Sequence, residues 1–430
     1  MNAPLASTCE TLEPRTLFAS SGWSPVIDNP LFPLFPGTTW TYKGTSESDG
    51  AGEKVVTTVT NQTKLIQGVR TTVVLDKNYI DGALAEKTYD FFAQDRAGNV
   101  WYFGEQTYEY DDGKVVSTEG SFLAGVNGAK PGIIMLAHPR VGDEYKQEQA
   151  VGVAEDEAEV LAVGETATTP FATFANCLKT KDFTKLEPGA NEEKFYAPGI
   201  GLVMSQGSDG EVVRLTSVEL APAAFGDTID NPYFPLVRGT KYVYKGTSDG
   251  EPQKDTVEVT RDTRQIQGVS ATVVLDKVYV NGELKEKTYD FYAQDLAGNV
   301  WYFGEDTFEY EDGKVVSTAG SFLAGVNGAK AGIIMPAQPD VGSHYFEERA
   351  AGVAEDQARV IATAARAVTP FATFGRCLQT ENFTDLEPGA LEHKLYAPGF
   401  GLVFASDVSG GDDTVRLVSV TFAPDTGADD

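Results

Sequence analysis

Glu86-Lys87-Thr88-Tyr89-Asp90-Phe91-Phe92-Ala93-Gln94, then Asp95-Arg96-Ala97-Gly98-Asn99, then Val100-Trp101-Tyr102-Phe103-Gly104-Glu105 read as strand, turn and returning strand. Aromatic and β-branched residues fill both arms, and the Asp/Gly/Asn cluster between them is turn chemistry. Period-two alternation puts Trp101, Phe103 and Glu105 on one face and Val100 and Tyr102 on the other. The block returns at 286–305, with Ala97 to Glu105 repeated unchanged as Ala297 to Glu305. Gly120 to Lys130 likewise returns unchanged as Gly320 to Lys330. Asn29-Pro30-Leu31-Phe32-Pro33-Leu34 returns as Asn231-Pro232-Tyr233-Phe234-Pro235-Leu236. The chain contains one domain twice.

Each copy spans roughly 190 residues, enough for its own core and too long for a solenoid unit. The reading is a leader at 1–28, a first β domain at 29–220, a linker at 221–230, a second β domain at 231–422 and an acidic tail at 423–430. The linker is short, which leaves room for a fixed contact between the copies. Thr256-Val257-Glu258-Val259-Thr260 alternates with period two. Thr71 to Leu75 and Ala271 to Leu275 read as buried strands. Asp81-Gly82, Asp112-Gly113, Asp209-Gly210, Asn281-Gly282 and Asp312-Gly313 are hairpin turns that need positive φ. Val153 to Val163 has helical propensity, but its context favours strand. Some ten short strands per copy give an all-β protein of two homologous domains. Each is expected to be an antiparallel barrel or strongly curved sheet, with a β-sandwich as the alternative.

There are 63 acidic residues against 34 basic ones, and the net charge is -29. Such a surface repels nucleic acid, which is excluded as a partner, and favours cations. No stretch has the roughly 20 apolar residues of a membrane-spanning helix. Three cysteines make no disulfide framework. Cys177 and Cys377 stand at matching positions and read as core, while Cys9 lies in the leader.

Cys9 to Phe18 contains Leu12-Glu13-Pro14-Arg15 and resembles the Leu-Glu-Pro-Arg segment near the start of large exported proteins of planctomycete-type bacteria. Both copies also resemble a group of uncharacterised bacterial secreted proteins. The resemblance rests on the Asn-Pro opening, on Tyr89 to Glu105 and Tyr289 to Glu305, and on Tyr196 to Val203 and Tyr396 to Val403. These resemblances imply a secreted or cell-surface location and bring no activity with them. That group often carries a histidine where this chain has His393 in copy 2 and Glu193 in copy 1.

Familiar catalytic and phosphate-binding motifs are missing, and no histidine recurs at a matched position. Acids do recur. Asp90, Trp101, Tyr102 and Glu105, with Asp290, Trp301, Tyr302 and Glu305, are the candidate ligand-binding residues. Two carboxylates on facing strands could act as acid and base on a glycosidic bond, and Trp101 and Tyr102 would make a sugar platform, while an apolar pocket inside each β domain would suit a small apolar ligand. Lys130 and Lys330 close the duplicated glycine-rich loop and complete this set. That loop reads as a plug or rim pinned by Phe122 and Leu123. Asp95 and Asn99, with Asp295 and Asn299, are the candidate metal ligands, and calcium is the candidate cofactor. The same residues suit a turn cap. The leading reading is an exported, non-catalytic binding or scaffolding protein stabilised by divalent cations, acting on a cell-surface protein, a glycan or an apolar small molecule. A small apolar-ligand or lipid carrier and a carbohydrate-active protein are the alternatives.

Overall fold

A computed structural model describes residues 22–24, 26–45, 50 and 52–422. Most of the leader, with Cys9 and the Leu-Glu-Pro-Arg segment, and the acidic tail lie outside the described residues. The rest is β structure with a single 3-10 turn, Pro222–Ala224, among the described residues. Alternating burial along the strands gives each sheet one inner face, which is what period-two patterning dictates. The stretch with helical propensity is strand from Asp156, because its alternate residues Ala158 and Val160 are buried against the sheet. The strands are longer than their turn signals suggest, reaching 16 residues at Glu251–Ile266.

In copy 1 the ladder runs from Glu144–Lys146 through Asp156–Thr168, Ala172–Thr184, Asn191–Ala197, Gly201–Gly207 and Val212–Glu219. It continues through Thr39–Thr45, Gly52–Ile66, Val69–Ile80 and Ala83–Asp95 to Val100–Asp111. Copy 2 follows the same order. Every pairing is antiparallel, and each sheet is open. Glu144–Lys146 pairs only with Asp156–Thr168, and its continuation Glu148–Gln149 meets Lys130–Met135 over two residue pairs. The expected closed barrel is therefore corrected, and two facing layers, as in a sandwich, describe each copy better. Gln147 separates the two strands, one ending at Lys146 and the next beginning at Glu148. Its N–H is already donated to Asp156 O, and its carbonyl lies where a Cβ on Gly132 would stand, 2.2 Å away.

Four of the five predicted turns carry the predicted strain, whereas at Asp209-Gly210 only the glycine has positive φ. Asp81, Asp112, Asn281 and Asp312 have φ of 47° to 53° and precede glycines that also have positive φ. Both central residues of a type I′ turn need this region. Cys177 and Cys377 are fully buried, and burial pushes the Cys177 thiol up to about 12.

The copies are joined by more than the linker. Ala172 and Thr173 pair with Tyr345 and His344, extending a copy 1 strand onto copy 2. Phe225 of the linker bridges to Asp295 and packs edge-on against Trp301 and Phe303. Trp23 does the same for copy 1, pairing with Asp95 and packing against Trp101 and Phe103. Arg349 lies 4.6 Å over Phe171, and Asn176 donates to Gln338 at 2.8 Å.

Candidate functional site

The two layers of copy 1 enclose a cavity of about 280 Å³. Its apolar wall includes Trp40, Phe92, Ile134, Tyr196, Ile200 and Leu202. Trp40 and Tyr42 are fixed by donating to the Ile200 and Leu202 carbonyls at 2.9 and 3.0 Å. These carbonyls lie just beyond the Pro198-Gly199 turn, so the Tyr-Ala-Pro-Gly block serves to aim the wall. The polar side of the cavity is Asp76, Asp90, Tyr102, Glu148, Asp156 and Lys194. A more open acidic groove of about 510 Å³ shares Tyr42, Asp76, Asp156 and Lys194 and adds Glu53, Asp182, Glu192 and Glu211.

Asp90, Tyr102 and Glu105 come together. The Tyr102 hydroxyl lies 2.6 Å from Asp90 Oδ1 and 2.8 Å from Glu105 Oε2. Copy 2 repeats this with 2.7 Å contacts from Tyr302 to both Asp290 and Glu305. One hydroxyl has one proton, so it donates to a single carboxylate. A proton on the other acid would let it donate to the phenol oxygen in turn. Burial supports this by raising Asp90, Glu105 and Glu305 and pushing Asp290 up to about 7.

The face assignment from alternation is corrected here. Glu105 shares the inner side with Tyr102, while Trp101 points to the opposite face. Asp90 pairs with Glu105 but Phe92 pairs with Tyr102, so Phe103 and Gly104 together oppose Phe91 as a bulge. Gly104 makes this possible with φ of 126° and the carbonyl of Phe122 sitting 2.2 Å from where a Cβ would be. Phe122 in turn packs edge-on against Tyr102 at 5.7 Å. The duplicated glycine-rich loop thus pins the bulge that turns Glu105 inward.

The other candidates lie elsewhere. Trp101 donates to Asp95 at 2.9 Å on the outer face. Asp95 also accepts from the backbone of Ala97 and Asn99 and from the Asn99 amide. Burial alone would raise this carboxyl, but those donors outweigh it and lower it. Asp295 has the same donors, with Asn299 and Trp301, yet burial under copy 1 wins and raises it. Each carboxylate oxygen in these caps already accepts two N–H groups, so a cation would have to displace them. Lys130 is exposed, while Lys330 donates to Ser217 of copy 1 at 2.6 Å and lies 3.3 Å from Glu219.

Asp76, Glu148, Gln147, Asp182 and Lys194 were not singled out from the sequence. Lys194 lies 2.9 Å from Asp182 and 3.2 Å from Glu192. Burial alone would lower its ammonium, but these two carboxylates outweigh it and raise it. Burial pushes Asp76 up to about 6 and Glu148 up to about 8. Asp76, Glu148 and Lys194 carried a signal, recurrence as Asp276, Glu348 and Lys394, whereas Gln147 and Asp182 do not recur. Among the described residues, Asp249, Asp412 and Asp413 form a separate group on copy 2 with carboxylate oxygens within 4.8 Å of one another.

Neither a family model nor a curated protein matches the chain. Solved structures do. A protein from Bacteroides fragilis, described as exported and with a YmcC-like fold, is 19% identical over 44% of this chain and 99% of its own, with a TM-score of 0.29. A protein from Parabacteroides distasonis described as a lipoprotein is 15% identical with the same coverage and a TM-score of 0.26. Kievitone hydratase from Nectria haematococca is 6% identical over 92% of this chain and 93% of its own, with a TM-score of 0.13. Likeness at this level carries no activity over to this chain. Among the described residues, no helix is long and apolar enough to cross a membrane.

Proposed function

We propose that the protein is a secreted or surface-associated binding protein whose copy 1 interior holds a small molecule with an apolar body and one polar end. The observation that carries this reading is the cavity of about 280 Å³ with an apolar wall and an acid-rich floor. Its size is near the low end for ligand pockets, roughly 300 Å³. The apolar body rests on Trp40, Phe92 and Leu202. The polar end meets Asp90 and Glu148, acids held partly neutral by burial, which act as donors as well as acceptors. This reading favours a carrier over a scaffold or a glycan-processing enzyme.

Titration of the full chain with Nile red, a neutral apolar fluorophore, tests it. One saturable site is expected, lost in Leu202→Trp, which fills the cavity. Equal binding by the filled variant overturns the reading. A cation at Asp249, Asp412 and Asp413 is a second, structural reading, supported by their clustering. Equal thermal stability with calcium and with chelator removes it.

A further inference from the structure

The two copies are joined end to end, and the joint has two unlike faces. Copy 1 contributes Phe171, Ala172, Gly199 and Ile200. Copy 2 contributes Ala297, Asn299, Trp301 and Tyr345. Gly199 marks how tight the joint is: a Cβ there would lie 2.6 Å from both Ala297 Cβ and the Asn299 amide nitrogen. Because the copies are homologous, each half of this joint exists a second time. The copy 1 kind of face recurs on copy 2 as Phe371, Ala372, Gly399 and Phe400. The copy 2 kind recurs on copy 1 as Ala97, Asn99, Trp101 and Tyr145.

Burial marks both recurrences as less covered than the joint among the described residues, with Trp23 alone lying against Trp101 where Phe225 and Phe171 both lie against Trp301. Phe171 is 3% exposed in the joint, and Phe371 is 39% exposed. Trp301 is 2% exposed, whereas Trp101 is half-buried. Gly199 is buried and Gly399 is exposed. The free end of copy 2 is also more aromatic than its counterpart. Phe400 replaces Ile200 and packs within 5.3 to 6.4 Å of Phe371, Phe374 and Phe422. Phe422 is 54% exposed, so this end presents apolar area to water. Carried over to the free ends, the joint's own contacts put Arg376 opposite His138, the counterpart of Gln338, and Glu144 opposite Thr373, the counterpart of Thr173.

We propose that a second copy of this chain docks head to tail, seating its Ala97 and Trp101 face on the Gly399 and Phe371 face of the first, as Ala297 and Trp301 seat on Gly199 and Phe171 within the chain. The mode repeats the joint that the chain makes within itself. The interface is heterologous, so a docked pair still offers one free face of each kind and association continues beyond a dimer.

Sedimentation velocity of the full chain over rising concentration tests this. Two blocked variants make the test specific. Phe371→Asp charges one face, and Ala97→Arg fills the space that Gly399 must approach. Expected are concentration-dependent species larger than dimers for the unaltered chain. Each blocked variant alone loses association roughly 30-fold or more, as for an interface hot spot. The two variants mixed form dimers and nothing larger, since one free face of each kind remains. That mixed dimer also shows that both variants are folded. A chain that stays monomeric at every concentration overturns the proposal. So does loss on Phe371→Asp with none on Ala97→Arg, which would mean like faces pairing.

Discussion

In copy 1 Gln147 donates to Asp182 at 3.0 Å, whereas in copy 2 Asn382 donates to Glu347 at 2.9 Å. The amide and the acid have changed places across the same contact between layers. The contact still holds one amide and one carboxyl, and a half-buried lysine stays beside it in both copies. Lys194 meets Asp182 at 2.9 Å, and Lys394 is held by Glu392 at 3.3 Å with Glu347 adding to its field. The interior therefore requires the charge, and either strand can supply it. The exchange is not free of consequence. Among the described residues, copy 2 leaves Glu347 Oε1, Tyr345 Oη and Asp276 Oδ1 buried without a hydrogen bond. Asp76, the counterpart of Asp276, accepts from Thr57, where copy 2 has Val257. Copy 2 is the less satisfied interior.

The largest expected effect is collective. Burial pushes Glu348 up to about 9, Glu347 and Asp290 to about 7 and Asp255 to about 6. In copy 1 the same cause takes Glu148 to about 8 and Asp76 to about 6. Folded pKa values above the unfolded ones mean that the folded state binds more protons between them. Stability is then full near pH 4 and falls as pH rises through about 6 to 9. Calorimetry should find Tm about 10 °C lower at pH 9 than at pH 5.5. Glu348→Gln should flatten the upper part of that window more than Glu148→Gln. Equal flattening would erase the difference between copies.

Next is the exchanged pair. Asp182→Asn strips Lys194 of its nearest carboxylate and should destabilise by about 3 kcal/mol. Adding Gln147→Glu rebuilds the copy 2 arrangement inside copy 1 and should recover most of that loss. Urea unfolding of both singles and the double gives the coupling energy. Strict additivity would break the claim that the charge is exchangeable.

Tyr102→Phe and Tyr302→Phe each leave two adjacent carboxyls without their shared hydroxyl. Each should lose about 2 kcal/mol in the same assay. A larger loss at Tyr302 would sharpen the contrast between the interiors. The smallest change runs the other way. Val257→Thr offers Asp276 the donor that Asp76 already has, and should stabilise by about 1 kcal/mol.

Much of the site was legible where both copies agree and where the chemistry is local. Asp90, Tyr102 and Glu105 meet as nearby residues on two paired strands. The face of Glu105 was misread because alternation counts residues and a bulge adds one. Gly104 could have signalled it, being a glycine inside an aromatic strand. Lys194 and Glu148 were missed because they reach the cavity from the opposite layer, and no sequence spacing links the layers.

The sequence by itself determined the duplication, the all-β class, the turns and the acidic balance. These follow from period, turn chemistry and composition, all of which act over a few residues. Only the tertiary structure decided that the sheets stay open, that copy 1 encloses a mixed apolar and acidic cavity, and that Trp301 is buried while Trp101 is only half-buried. The reason is physical: ladder closure, enclosure and docking depend on which distant backbones exhaust their hydrogen bonds and which faces find each other, and neither is encoded in local period.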